Sequence, residues 1–136
     1  MADGHRPRIS VINDNPDFLE LMAAILDEDA GYEVTLFNGE QTTIAEIADS
    51  NPELIIVDLL LGGASGWEIV ALTRADDRLS HLPILVCSAD VTALRERADE
   101  LIQIGNVHIL EKPFGIDQVT EMVEGLIGRS ATAVSA

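Results

Sequence analysis

Three charged side chains stand directly after, or one residue beyond, short apolar runs of this chain. They are Asp14, Asp58 and Lys112, and the runs occupy residues 9–12, 54–57 and 107–110. If the runs are neighbouring parallel strands, their carboxyl ends bring two carboxylates and an ammonium group to one edge of a sheet. Carboxylates bind hard divalent cations, and a lysine supplies a positive charge for a phosphoryl group. The spacing therefore predicts a site for a cation and a phosphoryl group.

The strongest candidate for covalent chemistry is Asp58. It ends the run 54–57, which is wholly apolar and therefore typical of a central strand buried on both faces. A carboxylate in that position is held rigidly and is partly removed from water. With a cation to neutralise the transferring group, Asp58 becomes a candidate nucleophile toward phosphorus. The alternative is an ordinary loop aspartate, although no helix follows that Asp58 could cap.

The other polar residues of this site have both functional and structural interpretations. Ser88 ends a further predicted strand, where its hydroxyl could donate to a phosphoryl oxygen or cap the next helix. Asp14 could ligate a cation or serve as a turn residue beside the helix cap Asn15. Asn13 offers an uncharged oxygen that could ligate through an intervening water. Lys112 could bind phosphate or be a solvated lysine at a strand end.

The composition limits the possible partners. The chain has 136 residues, which is the size of one domain, and its 47% hydrophobic content supports a real core. With 8 basic against 24 acidic residues, its net charge is −16, so direct binding to nucleic acid or to an anionic membrane is not expected. The single cysteine, Cys87, cannot form an internal disulfide, and no apolar run approaches the length of a membrane span. We therefore expect a cytoplasmic protein.

Apolar runs alternate with helical patterns along the whole chain. The predicted strands are 8–12, 32–37, 54–57, 84–87 and 107–110, and the helices between and after them are 16–30, 40–49, 67–75, 91–103 and 116–127. This alternation predicts a doubly wound α/β fold with a parallel sheet and right-handed crossovers. In the common strand order 2-1-3-4-5, the ligand site lies at the carboxyl ends of strands 1 and 3. Asp14 and Asp58 fall at those two ends.

Taken together, these residues match a family signature. The chain resembles response-regulator receiver domains of two-component signalling, in a stand-alone form like the chemotaxis regulators, with a flavodoxin-like fold. The matching positions, in order, are Asn13-Asp14, Asp58, Gly66, Ser88-Ala89 and Lys112-Pro113-Phe114. The resemblance covers residues 6–128, which leaves 129–136 as a C-terminal tail that we expect to be frayed.

The resemblance implies a role for each residue of the site. Asp58 would accept a phosphoryl group from a histidine kinase or a histidine phosphotransfer protein. Asp14 and Asp58 would ligate Mg²⁺ together with the backbone carbonyl of Leu60, and Asn13 would lie in the outer shell of the ion.

The resemblance also implies how the signal is passed on. Ser88 and Lys112 would bind the phosphoryl group and report its presence. No output domain follows residue 128, so the chain would act on a downstream protein through contacts or would be a part of something longer. It would not be an enzyme beyond its own phosphorylation and dephosphorylation.

Three positions depart from the family pattern. Asn13 stands where an acid is usual, which reduces the attraction for Mg²⁺. Gly62 replaces a common proline. Ile109 stands where an aromatic switch residue is usual, and an aliphatic side chain has no polar tip to hydrogen-bond.

Other interpretations remain open from the sequence. The departures at Asn13 and Ile109 would suit a degenerate receiver that serves only as a phosphorylation-independent interaction module. A hydrolase of the haloacid-dehalogenase type needs a second acid where this chain has Leu60. A flavodoxin-like cofactor carrier needs a phosphate-binding loop after the first strand, where the acidic segment 15–17 lacks glycine.

The first helix has a wide apolar face. Beyond the core positions Phe18, Leu21, Met22 and Ile25, further apolar residues widen it, namely Leu19, Ala23 and Leu26. They predict either a deeper core or a docking patch for a kinase helix.

Overall fold

A five-stranded parallel sheet forms the centre of the protein, as a computed structural model shows. The structure describes residues 7–29, 31–38, 43–58, 66–88, 96, 99, 103, 105–111 and 115–135. The strands are β1 (Arg8–Ile12), β2 (Glu33–Phe37), β3 (Leu54–Asp58), β4 (Ile84–Ser88) and β5 (Val107–Glu111). All pairs are parallel and the order is β2-β1-β3-β4-β5, which confirms the predicted doubly wound topology.

Helices connect the strands and cover both faces of the sheet. They are α1 (Pro16–Ala23), continued by a π-helical segment (Ala24–Asp29), α2 (Ile44–Asp49), α3 (Gly66–Ala75) and a C-terminal helix (Ile116–Ser135). Glu96, Asp99 and Gln103 are helical and fall inside the helix predicted over 91–103, of which the rest lies outside the described residues. Gly31 ends the first helical region as predicted, with a φ of +82° that favours glycine.

The C-terminal helix is longer than the sequence pattern predicts. It begins at Ile116 as expected but continues to Ser135, past the predicted end at residue 127. The segment 129–135, which we expected to be frayed, is therefore helical. It contains no proline, and its alanines are strong helix formers, so nothing in it stops the helix. The boundaries of the domain itself stay a prediction.

The sheet separates two apolar cores. On one face, α1 and the C-terminal helix pack over Leu54 and Ile56 of β3. On the other face, α2 and α3 pack over Ile55 and Val57. Every residue of β3 is buried, as predicted for a central strand. The strand that ends in Asp58 is therefore held from both sides.

The wide apolar face of the first helix belongs mainly to the core. Leu26 is fully buried beside Met22, and Leu19 packs against the same cluster. These two residues therefore support the deeper core rather than a docking patch. Leu21, which we expected in the core, is 47% exposed. Phe18, Met22 and Leu26, which are spaced by four positions, pack in or against the core beneath the helix, and Leu21 lies at the edge of that apolar stripe.

The side chain of Arg74 connects α3 to the start of β5. Its Nη2 donates to the carbonyl oxygens of Gly105 at 2.9 Å and Asn106 at 3.0 Å. Both loop residues have positive φ, +81° and +55°, so their backbone follows an unusual path that these bonds stabilise. Partial burial lowers the pKa of Arg74 from its usual value. Because a guanidinium titrates far above neutral pH, it stays charged.

Tyr32 makes the stability of the fold sensitive to alkaline pH. Burial raises the pKa of its hydroxyl, and the Glu124 carboxylate raises it further. The folded protein therefore keeps the phenol proton at a pH where the unfolded chain has lost it, above about pH 10. We expect the free energy of unfolding to fall as pH rises from there through the folded pKa. Urea unfolding at several alkaline pH values should show that the free energy of unfolding falls less steeply with pH in Tyr32→Phe than in the wild type. An identical pH dependence in both proteins would contradict this assignment.

Candidate functional site

The predicted site lies where β1 and β3 end side by side. Ile12 of β1 is paired with Val57 of β3, so the next residues, Asn13 and Asp58, are neighbours at the carboxyl edge of the sheet. The backbone N–H of Asn13 donates to the carbonyl of Phe37 at 3.1 Å, which extends the pairing of β1 and β2 by one residue. Asn13 is 2% exposed and Asp58 is 7% exposed. Both residues are therefore almost completely buried at this edge of the sheet.

The side-chain amide of Asn13 contacts the Asp58 carboxylate directly. Its Nδ2 donates to Asp58 Oδ2 at 3.2 Å, and its Oδ1 accepts from the backbone N–H of Asn15 at 2.8 Å. A backbone N–H can only donate, so this second bond fixes which end of the amide faces Asp58. The sequence predicts Asn13 beside a cation but does not predict this bond, because no spacing rule specifies a side-chain rotamer.

Asp14 lies in the bend between β1 and α1. It is half-buried and is followed by Asn15, whose Oδ1 accepts from the backbone N–H of Asp17 at 2.9 Å and so caps α1. This cap and Pro16 at the first helical position agree with the sequence prediction. The helix cap belongs to Asn15, and the role of the Asp14 carboxylate as a cation ligand stays a prediction.

The two aspartates predicted at this edge are hard oxygen donors that suit a divalent cation. The described residues contain no group of three or more histidine, cysteine, aspartate or glutamate side chains that could hold a metal. Asp14 and Asp58 supply two hard carboxylates, and Mg²⁺ is typically bound through one or two carboxylates, with waters and phosphate oxygens completing its shell. The residues present therefore fit that ion.

The pairing of β4 with its neighbours brings Ser88 to the same edge of the sheet and Glu111 beside Ser88. Asp58 is paired with Cys87, so Ser88, the last residue of β4, lies one step beyond it. Ser88 is in turn paired with Glu111, the last residue of β5 and the neighbour of Lys112 in the chain. The side chain of Ser88, and Leu60 and Lys112 entirely, lie outside what the structure describes, so their roles stay predictions.

Ile109, at the position of the expected switch residue, lies in the middle of β5. It is paired with Val86, is half-buried and packs against the core that α2 and α3 cover. It also lines a groove between β5 and the C-terminal helix, together with His108 and Met122. An aliphatic side chain in that position can change its packing but cannot hydrogen-bond.

Comparison with known proteins decides the family. The sequence model of the response regulator receiver domain matches residues 9–124. The chain belongs to this family. It is 30% identical over 126 residues to the DNA-binding dual master transcriptional regulator RpaA of Synechocystis, and the match covers 91% of this chain and 50% of that protein. The chain thus spans about half the length of that relative.

Solved receiver domains share the fold. The signal receiver domain of a LuxO repressor protein from Vibrio parahaemolyticus superimposes with a TM-score of 0.82, at 25% identity and 95% coverage of both chains. The receiver domain of a sensor histidine kinase from Pseudomonas aeruginosa, described with a magnesium ion in its active site cleft, gives a TM-score of 0.77 at 24% identity, over 91% of this chain and 99% of that one.

These matches confirm the predicted family and topology. Receiver domains are signalling domains of two-component systems rather than classical enzymes. In the part of the chain that the structure describes, no helix is long and apolar enough to cross a bilayer.

Proposed function

We propose that Asp58 is the phosphoacceptor of this receiver domain and that it receives the phosphoryl group from a histidine kinase or a histidine phosphotransfer protein in the cytoplasm. The observation that carries the proposal is the placement of the Asp58 carboxylate. It ends a fully buried strand, is 7% exposed, and lies beside Asn13 at the carboxyl edge of the sheet. A rigid carboxylate at this point of a doubly wound sheet is positioned for attack on an incoming phosphorus atom.

The chemistry requires one bond to form and one to break. An oxygen of Asp58 attacks the phosphorus of the donor phosphohistidine, the new O–P bond forms, and the N–P bond of the donor breaks while its imidazole takes up a proton. Mg²⁺, when bound by Asp14, Asp58 and the Leu60 carbonyl, neutralises charge on the phosphoryl oxygens. Asn13 would lie in the outer shell of the ion. The Pseudomonas aeruginosa receiver domain is described with a magnesium ion in its active site cleft, which supports a cation in the corresponding cleft of this fold.

Ser88 and Lys112 complete the proposed site. The pairing of β4 with β3 and β5 supports their position, because the end of β4 lies beside Asp58 and the end of β5 lies beside Ser88. The Ser88 hydroxyl donates to a phosphoryl oxygen, and the Lys112 ammonium provides the opposite charge.

Treatment of the protein with acetyl phosphate tests the function. Intact mass spectrometry should show the addition of one phosphoryl group in the presence of Mg²⁺ and none when the cation is chelated. No addition under any condition would contradict the proposal. It would favour the second candidate, a degenerate receiver that acts only through protein contacts. This candidate is favoured by Asn13, which stands where the family usually has an acid. Its side-chain amide donates a hydrogen bond to the Asp58 carboxylate.

We propose further that the signal leaves through a protein-protein contact on the face formed by residues 91–103, β5 and the C-terminal helix. A groove of about 360 Å³ on this face is lined by His108 and Ile109 of β5 and by Gln118, Glu121 and Met122 of the helix. The net charge of −16 disfavours direct contact with nucleic acid. Ile109 takes part by repacking, so the shift in populations should be modest.

Amide exchange with and without beryllofluoride, a phosphoryl mimic, tests this route. We expect changes in protection within residues 91–111, since phosphoryl binding by Ser88 and Lys112 shifts this face between two packings. Addition of beryllofluoride to Asp58→Ala is the control and should change nothing. If protection changes only at the phosphorylation site and stays the same within residues 91–111, a phosphate relay or sink is favoured instead.

A further inference from the structure

We propose that the side-chain amide of Asn13 is a latch on Asp58. In the cation-free protein its N–H group holds the carboxylate oxygen that faces β1, and a divalent cation must displace this amide before it can bind. The inference rests on the proposed function only in placing the cation between Asp14 and Asp58.

The contacts at both ends of the amide define the latch. Oδ1 accepts from the backbone N–H of Asn15 at 2.8 Å, and Nδ2 donates to Asp58 Oδ2 at 3.2 Å. An amide turned by half a revolution would place N–H against N–H at Asn15 and oxygen against oxygen at Asp58. Both partners therefore select the same orientation of the amide in the cation-free protein.

The position of the held oxygen brings the latch into competition with a cation. Asn13 and Asp14 both follow β1, so the Asp58 oxygen that Asn13 reaches is the one on the β1 side. A cation shared by Asp14 and Asp58 would lie between the ends of β1 and β3, where it would compete for that same oxygen. An amide N–H carries partial positive charge, and it repels a cation at the place where it donates.

Release of the latch has a structural cost. For Asn13 to turn its oxygen toward the shell of the ion, the bond from the Asn15 N–H has to break. That bond belongs to the turn in which Asn15 caps α1 through the backbone N–H of Asp17. The amide thus has two positions, one on Asp58 without the cation and one toward the outer shell with it. An acid at position 13 would lack the donor for the first position.

Substitution of Asn13 separates this latch from a simple outer-shell ligand. In calorimetric Mg²⁺ titrations at fixed ionic strength, loss of a competing hydrogen bond in Asn13→Ala should tighten binding about fivefold. The added charge in Asn13→Asp should tighten it by a further factor of about ten. The matched control is Asn51→Asp, which adds the same charge at an exposed position before β3, at the opposite end of that strand from Asp58, and it should change affinity by less than about twofold.

The opposite order of affinities would overturn the latch. If Asn13 served only as an outer-shell ligand, Asn13→Ala would bind Mg²⁺ equally well or more weakly than the wild type. Absence of Mg²⁺ binding in every variant would overturn it as well. Should Asn13→Ala fail to fold, Asn13→Ser, whose side chain is too short for both contacts, serves in its place. In the wild type, the NMR signals of the Asn13 side-chain amide should shift on Mg²⁺ addition, and unchanged signals at saturation would also overturn the latch.

Phosphorylation measured in parallel keeps the two proposals apart. If the wild type takes up a phosphoryl group but Asn13→Ala binds Mg²⁺ no more tightly, the latch is wrong and the proposed function stands. If no variant takes up a phosphoryl group but Asn13→Ala still binds Mg²⁺ more tightly, the latch stands and the proposed function is wrong.

Discussion

The Asp58→Ala variant is expected to take up no phosphoryl group from acetyl phosphate and Mg²⁺, under conditions in which the wild type takes up one. The reason is geometric as well as chemical. Asp58 is the carboxylate that ends the fully buried central strand, and the amide of Asn13 orients it. The substitution removes the only nucleophile that the proposed mechanism uses, so the loss should be complete rather than partial. Intact mass spectrometry reports the number of groups added.

A second aspartate variant controls for the loss of charge. Asp49 lies at the end of α2, is exposed and pairs with Arg78 at 3.1 Å on the surface. Asp49→Ala should take up one phosphoryl group as the wild type does, because a surface ion pair of this kind contributes little to stability. Asp58→Asn, which preserves the shape of the site, should remain unmodified. A phosphoryl group that persists in Asp58→Ala would show that the acceptor is elsewhere.

The strands and their order could be predicted because their signals are strong and local. The run 54–57 is apolar at every position, and in the structure both faces of β3 are covered. Helix geometry was harder to predict. The first helical region changes to a π-helical segment at Ala24, and Leu21 is exposed although its spacing suggested the core. Which apolar residue of a wide stripe faces the sheet depends on the packing of the whole helix, which a periodicity cannot specify.

The site could be predicted as a set of positions but not as a set of contacts. Strand ends placed Asn13, Asp14 and Asp58 at one edge, and the pairing of Ile12 with Val57 confirms that neighbourhood for Asn13 and Asp58. The bond from Asn13 to Asp58 depends on this register, on the turn at Asn15 and on a rotamer that both ends of the amide select. These are tertiary properties. The sequence shows that Asn13 stands where the family usually has an acid. Only the hydrogen bond to Asp58 shows what the amide of Asn13 does there.

Replacement of Ile56 by alanine should cause a large loss of stability. Ile56 lies at the centre of β3, is fully buried and belongs to the core beneath α1 and the C-terminal helix. Removal of three carbon atoms from a closely packed site loses their transfer free energy and leaves a cavity, at a cost of about 2–5 kcal/mol. Urea unfolding followed by circular dichroism should show a lower midpoint with an unchanged slope.

The adjacent residue is a matched control that connects this core to function. Ile55→Ala makes the same chemical change at an equally buried position on the opposite face of the sheet, so it should cost a similar free energy. Side chains alternate along a strand, so Ile56 and Asp58 lie on the same face and Ile55 on the other. At temperatures where both variants are folded, Ile56→Ala should therefore slow phosphorylation of Asp58 more than Ile55→Ala does. Equal rates in the two variants would show that the site is positioned by the backbone of β3 alone, without support from the core beneath the carboxylate.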